Sequence, residues 1–195
     1  MKWWNKIFSE LNNNSAFSWN VDQEWTLFLD RDGTINKRVD GYIREWEEFS
    51  FLPGVLEGIT ALNKLFSKTI IVTNQQGIDK GLMTHEDLGL IHKKMMEIIE
   101  YFGGHIDEIY YEPSLAVYDA FRRKPNSGMA MDAKNTYPVI DFKKSVMVGD
   151  TLSDMEFGKR LGMKTVWISN ARERKNKAAI LERTDLVVSD LKELY

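Results

Sequence analysis

Apolar residues in this chain occur in two alternating patterns. Short continuous runs fall at 25–29, 69–74, 106–111, 145–149, 164–168 and 186–188, each bounded by polar or turn residues. Runs of this length read as buried strands. Between them, apolar residues recur every three or four positions. Pro53-Gly54 opens a helix with Val55, Leu56, Ile59, Leu62, Leu65 and Phe66 on one side. Thr84-His85-Glu86-Asp87 has the form of a capping box ahead of Leu88, Ile91, Met95, Ile98, Ile99 and Phe102, and Gly103-Gly104 ends that helix. Further helices are predicted at about 127–135, 152–161, 172–183 and 190–194, with loops at 36–48 and 112–122. Strands alternating with helices predict an α/β domain: a parallel sheet with helices on both faces.

The first strand stops abruptly at Asp30-Arg31-Asp32-Gly33, two carboxylates one residue apart. If the backbone stays extended, both side chains point the same way. Two such carboxylates repel unless a cation or a proton relieves them. The bland reading is a polar turn. Other strand ends are also polar. Thr73-Asn74 closes the second, Asp150 the fourth with Asp154 four residues on, and the loop at Arg123-Lys124 carries two cations. Taken singly, Asp150 reads equally as a helix cap, Asp154 as a helix-surface ion-pair partner, Lys124 as a solvated loop cation and Thr73-Asn74 as a turn. In a parallel sheet, however, all lie at one edge, where ligands bind. Several carboxylates around one point favour a hard cation, Mg²⁺, which leaves positions for a substrate phosphate. Lys124 and Arg123 answer the phosphate charge. The set points to phosphoryl transfer, with Asp30 as nucleophile. Asp32 would protonate the leaving oxygen and later activate water, which requires that it hold a proton in the first step.

Composition narrows the partners. The 195 residues suit one core, and with 43% hydrophobic and 28% charged residues the balance is that of a globular domain. A formal charge of −3 argues against a broad basic surface, so nucleic acid is disfavoured as a partner. There is no cysteine, which excludes disulfides and thiolate zinc sites. No apolar run reaches transmembrane length, and the N-terminus lacks the apolar core of a secretion signal, so a cytoplasmic protein is expected. Trp3, Trp4, Ile7, Phe8 and Leu11 have helical spacing. Residues 1–22 are therefore read as an amphipathic helix and linker covering an exposed patch. A membrane anchor and a dimer contact are the weaker readings. The main domain is expected at 23–195.

Four ordered motifs carry a resemblance: Asp-Arg-Asp-Gly-Thr-Ile-Asn at 30–36, Thr-Asn-Gln-Gln-Gly-Ile at 73–78, Arg-Lys-Pro-x-x-Gly-Met at 123–129 and Val-Gly-Asp-x-x-x-Asp-Met at 148–155. They resemble the haloacid dehalogenase-like phosphatases, within them the D,D-heptose 1,7-bisphosphate phosphatase and histidinol-phosphatase group. Asp40-Gly41-Tyr42 and Pro53-Gly54 fit the same group. The resemblance implies a Rossmann-like sheet, Mg²⁺ dependence and an aspartyl-phosphate intermediate. It makes Asp30 the nucleophile, Asp32 the general acid/base, Thr73 a phosphate ligand and Lys124 the residue that steadies the intermediate. It places the metal on Asp30, the backbone carbonyl of Asp32 and Asp150, with Asp154 supporting that shell or orienting Lys124. Substrate contacts are expected from Arg38, Asp40, Gly41, Tyr42, Thr73, Asn74, Gln75, Gln76, Arg123 and Lys124.

Many members of that group carry a Cys-x-His…Cys-x-Cys zinc loop just before Arg-Lys-Pro. Here the corresponding positions are Glu112, Ser114, Ala120 and Arg122, so no zinc is expected and the loop is free to differ. The spacing from Asp32 to Thr73, and from Thr73 to Lys124, leaves no room for a cap domain. The leading expectation is a phosphatase of a small phosphorylated metabolite, a heptose 1,7-bisphosphate, acting as a monomer or homodimer. Histidinol phosphate and a nucleic acid 3′-phosphate are alternative substrates. A non-catalytic binding module is the competing class, but it would be expected to have lost Asp30, Asp32 or Lys124, and all three are present.

Overall fold

The computed structural model describes residues 19–169 and 176–195. The expected N-terminal helix at 2–11 lies outside them, as does the start of the helix expected at 172–183. Six strands form one sheet: β1 (Thr26–Leu29), β2 (Lys68–Asn74), β3 (Glu108–Glu112), β4 (Ser145–Gly149), β5 (Lys164–Ile168) and β6 (Leu186–Val188). All neighbours are parallel, in the order β3-β2-β1-β4-β5-β6. Five helices are described: α1 (Val55–Leu62), α2 (His85–Tyr101), α3 (Gly128–Thr136), α4 (Leu152–Leu161) and α5 (Lys177–Leu181).

The four inner strands β1, β2, β4 and β5 are buried on both faces, which is why they appear in the sequence as near-continuous apolar runs, while the edge strands β3 and β6 are only partly buried. Leu27, Leu29, Ile71, Val146 and Val148 face one side and pack with Val55, Ile59 and Leu62 of α1 and Leu88, Ile91, Met95 and Ile99 of α2. Phe28, Ile70, Val72 and Met147 face the other and pack with Met129, Ala130 and Ala133 of α3 and Phe157 of α4. The period-two alternation of strand side chains thus divides the core into two layers.

Some expected boundaries move, each for a local polar reason. The helix opened at Pro53-Gly54 stops at Leu62 instead of continuing to Phe66. Asn63 there donates to Thr69 Oγ1 (2.8 Å) and the His105 carbonyl (3.1 Å), and its Oδ1 accepts from His105 N (2.8 Å). Leu65 and Phe66 remain buried in the turn that follows. The third strand starts at Glu108 and not at 106, because the Asp107 carboxylate is taken by Thr69 N at 2.7 Å and Lys68 Nζ at 2.6 Å. The terminal helix is a 3₁₀ turn, Leu191–Leu194. The capping box at Thr84 forms with Asp87 as its third helical residue.

This order places β1 between β2 and β4. Leu29 lies level with Ile71 on one side and Val148 on the other. β1 ends there, β4 one residue on at Gly149 and β2 three residues on at Asn74, all running in the same direction, so the ends of β1, β2 and β4 share one edge. No inserted cap domain separates them: a loop, α1 and β2 fill the chain from Asp32 to Thr73, and α2, β3 and a loop fill it from Thr73 to Lys124.

Phe157 is fully buried beneath the sheet and anchors α4, the helix that carries Asp154. Phe157→Ala is expected to lower the unfolding free energy by about 3–5 kcal/mol, read from urea denaturation midpoints.

Candidate active site

Lys124 reaches into the edge of the sheet from the loop after β3 and is almost fully buried. Its ammonium has three hydrogens and three acceptors: Asp30 Oδ1 at 2.7 Å, Asp154 Oδ1 at 2.6 Å and the Val72 carbonyl at 2.6 Å. Its backbone is fixed by Asn74, whose Nδ2 donates to the Lys124 carbonyl (3.1 Å) and whose Oδ1 accepts from Lys124 N (3.0 Å). Asn74, expected as a substrate contact, is thus engaged in holding the lysine in place. Burial opposes the charge on Lys124, but Asp154 and Asp30 outweigh it and raise its pKa above the usual lysine value.

Asp154 is positioned by the turn that opens α4. Thr151 is the N-cap, and the other Asp154 oxygen accepts from Thr151 N (3.0 Å) and Thr151 Oγ1 (2.6 Å). Asp154 therefore both closes a capping box and pairs with Lys124 across the sheet, rather than with a cation on its own helix. Asp150 does not cap the helix. Arg38 Nη2 reaches its Oδ1 at 3.2 Å, and its Oδ2 lies against Gly33. Gly33 has φ +95°, and a Cβ there would sit 2.2 Å from Asp150 Oδ2, so both the turn and the close approach require glycine.

Asp30, Asp150 and Asp154 are all buried, and each offers an oxygen within 4.8 Å of the others. Burial pushes the Asp30 carboxyl up to about 6; Lys124 lowers it, while Asp154 and Asp32 raise it. Burial, with the two neighbouring carboxylates adding to it, outweighs the 2.7 Å ion pair with Lys124. Buried hard-oxygen donors with surplus negative charge fit a cation such as Mg²⁺.

Asp32 is set apart from this group. Its carboxylate is not among the three that converge; it accepts from Arg31 Nη2 at 2.9 and 2.8 Å, from Asn36 Nδ2 at 2.9 Å and from Gln75 Nε2 at 2.8 Å. The Asp32 backbone carbonyl accepts from Arg38 Nε at 3.2 Å. Burial raises the Asp32 pKa, but Arg31 and then Asn36, with a further bond from Gln75, outweigh it and hold the carboxyl below the usual aspartate value. This arrangement favours the proton-accepting form, whereas the sequence reading required a proton-holding one.

A cavity of about 380 Å³ opens over these groups. Of the residues expected at the site, Asp30, Asp32, Arg38, Gly41, Tyr42, Thr73, Asn74, Gln75, Gln76, Arg123, Lys124 and Asp154 line it. Asp40 is exposed and stands outside the lining, and Asp150 lies behind it. Thr73 Oγ1 accepts from Gln75 Nε2 at 2.9 Å. Gln76 Nε2 donates to the Tyr42 hydroxyl at 2.9 Å, and Arg123 Nη1 donates to the Ser114 carbonyl at 2.7 Å. Sequence reasoning missed Thr151 and Ser153, which also line the cavity; their position just after Asp150 at a strand end was the available signal. At the positions matching the zinc loop, the Glu112 carboxylate is engaged by Ser114 N at 2.9 Å. Among the described residues, no helix is long and apolar enough to cross a membrane.

The comparisons with known proteins agree with this geometry. A family model described as HAD-hydrolase-like matches residues 121–194. The chain is 37% identical over 134 residues to the D-glycero-alpha-D-manno-heptose-1,7-bisphosphate 7-phosphatase of Mycobacterium tuberculosis, covering 68% of this chain and 70% of the relative. It is 35% identical over 143 residues to the beta-anomer enzyme of Rhodopseudomonas palustris, covering 70% and 78%. The crystal structure of D,D-heptose 1,7-bisphosphate phosphatase from B. bronchiseptica complexed with magnesium and phosphate superposes with a TM-score of 0.78 at 29% identity, over 87% of this chain and 94% of that one. With sheet order, strand-end carboxylates and buried lysine in place, these matches establish that the chain belongs to the haloacid dehalogenase-like phosphatases, in the family of the heptose-1,7-bisphosphate 7-phosphatases.

Proposed function

We propose that this phosphatase removes the 7-phosphate of D-glycero-D-manno-heptose 1,7-bisphosphate through a phosphoryl group carried on Asp30. The observation that supports it most is the buried Lys124 shared between Asp30 and Asp154, with Asp150 beside them. Relatives acting on both anomers match this chain at similar identity, so the proposal is made for the heptose bisphosphate without choice of anomer.

The residues divide the reaction as follows. Asp30 attacks phosphorus, forming an acyl-phosphate bond as the P–O bond to the sugar breaks. Asp32 gives its proton to the departing sugar oxygen. The negative charge of the arriving phosphate raises the Asp32 pKa, counteracting Arg31, Asn36 and Gln75. Water then attacks the phosphoryl group, Asp32 takes the water proton and Asp30 is released. In that step the three donors on Asp32 favour the form that is needed. Thr73 donates to a phosphoryl oxygen, and Lys124 keeps the Asp30 carboxylate aligned. Asp30, the Asp32 carbonyl and Asp150, supported by Asp154, would hold Mg²⁺, which when bound neutralises charge on the phosphoryl oxygens. Arg38, Gly41, Tyr42, Gln76 and Arg123 form the rim against which the sugar and its second phosphate rest.

Purified protein with Mg²⁺ is expected to release phosphate from the heptose bisphosphate with a kcat/KM at least about tenfold above that for histidinol phosphate or 3′-phosphorylated DNA, and Asp30→Asn is expected to abolish release. Turnover of none of the three would overturn the activity, and a preference for either alternative would overturn the substrate.

The pH profile carries its own signature. Asp30 is raised to about 6 and attacks only when ionised. Below that pH, kcat/KM is expected to fall about tenfold per unit. Raising Mg²⁺ is expected to move this acid limb to lower pH, because a nearby cation favours the carboxylate. A limb that does not respond to Mg²⁺ would separate the cation from Asp30.

A further inference from the structure

His92 sits on the buried face of α2, in the stripe formed by Leu88, Ile91, Met95 and Ile99. A polar ring in that stripe requires a partner. The partner is Arg31, whose Nη1 lies 3.1 Å from His92 Nε2. A guanidinium has only donors. The His92 Nε2 lone pair must therefore accept, which puts the ring hydrogen on Nδ1 and keeps the imidazole neutral. Burial, and then the Arg31 charge, pushes the His92 pKa down to about 3, with Asp32 opposing, in agreement with that geometry.

Arg31 is itself only 1% exposed, and its Nε has no hydrogen-bond partner. Its charge is held by two contacts: Nη2 on both oxygens of Asp32, and Nη1 on His92. These bonds leave from opposite arms of one rigid plane, so fixing Nη1 fixes the direction from which Nη2 meets Asp32. The His92 ring is braced edge-on against Tyr111 of β3, with centroids 6.1 Å apart. His92 itself neither lines the cavity nor belongs to the converging carboxylates; it reaches the site through Arg31, which does line the cavity.

We propose that His92 is a positioning residue for the reaction: through Arg31 it holds the Asp32 carboxylate in the orientation needed for proton transfer. This rests on the reading of Asp32 as the proton carrier. Without an acceptor at position 92, Arg31 Nη1 would be left in an apolar pocket, and the guanidinium would turn to find a partner. Asp32 would then lose the alignment of two of its four donor contacts. These Arg31 and His92 bonds reach neither Thr73 nor Lys124, so the loss is expected on kcat and not on KM.

The test compares His92→Phe, which keeps an aromatic ring against Tyr111 but has no acceptor, with His92→Gln, which keeps an acceptor, and with Asp32→Asn. His92→Phe is expected to lower kcat about tenfold or more with KM within about twofold, and His92→Gln to recover most of that loss. Unchanged kcat in His92→Phe, or equal losses in the Phe and Gln variants, would overturn the proposal. A fully active Asp32→Asn would instead overturn the assignment of Asp32. A measurement on the wild-type protein covers the case of a variant that does not fold. The chain has three histidines, and ¹⁵N NMR of their rings is expected to show His92 protonated on Nδ1 with a free lone pair on Nε2. The opposite tautomer would overturn the proposal.

Discussion

A lysine ammonium taken out of water is costly, and Lys124 is tolerated because three acceptors meet its three hydrogens. Those acceptors come from three parts of the chain: the end of β1, the body of β2 and the first turn of α4. The same nitrogen therefore fixes the positions of Asp30 and Asp154 relative to each other. Breaking such a buried pair from one side typically costs about 3–5 kcal/mol, because the abandoned charge stays buried. Asn74 adds a second layer, gripping the Lys124 backbone from the end of β2. The sheet edge thus acts as a frame around one cation, with Asp30, Asp150 and Asp154 converging beside it.

The two carboxylates that end β1 separate into different electrostatic environments one residue apart. Asp30 faces Lys124 among other carboxylates, and burial raises it. Asp32 faces Arg31, Asn36 and Gln75, and their bonds lower it. Two titratable groups pushed in opposite directions mark a division of labour between neighbouring acids. The division arises from packing: one group is matched across the sheet to the loop after β3, the other to α2 through Arg31 and His92.

Much of this was legible in the sequence, for identifiable reasons. The four inner strands, buried on both faces, leave continuous apolar runs, the two edge strands leave shorter apolar stretches bounded by turns, and alternation with helices implied the parallel sheet. Polar residues at the ends of those runs had to share an edge, which brought Asp30, Thr73, Lys124, Asp150 and Asp154 together. Pairings across the fold were not legible. Periodicity places His92 on the buried side of α2 but does not say that an arginine from another element needs its lone pair. Asn74 reads as a substrate contact until the Lys124 backbone is seen on both ends of its amide. The separate fates of Asp30 and Asp32 were hidden because an extended triplet implies a shared direction, whereas the turn at Gly33 rearranges their partners.

The rim follows a different logic from the chemistry beneath it. The loop at 112–122 contains no cysteine, and it is tied to the site at several points. The Glu112 carbonyl accepts from Gln75 N at 2.7 Å, Arg123 pins the Ser114 carbonyl, and Asn126 Nδ2 holds Asp119 Oδ1 at 2.9 Å. Gln75 also bonds Asp32, and Gln76 bonds Tyr42. The loop, the turn after β2 and the segment after β1 thus form one hydrogen-bonded rim around the cavity. Hydrogen bonds of this kind are individually modest and readily rearranged by substitution, whereas the Lys124 frame admits little change. The edge of the sheet is accordingly held by buried charge, and the rim by bonds that substitution can rearrange.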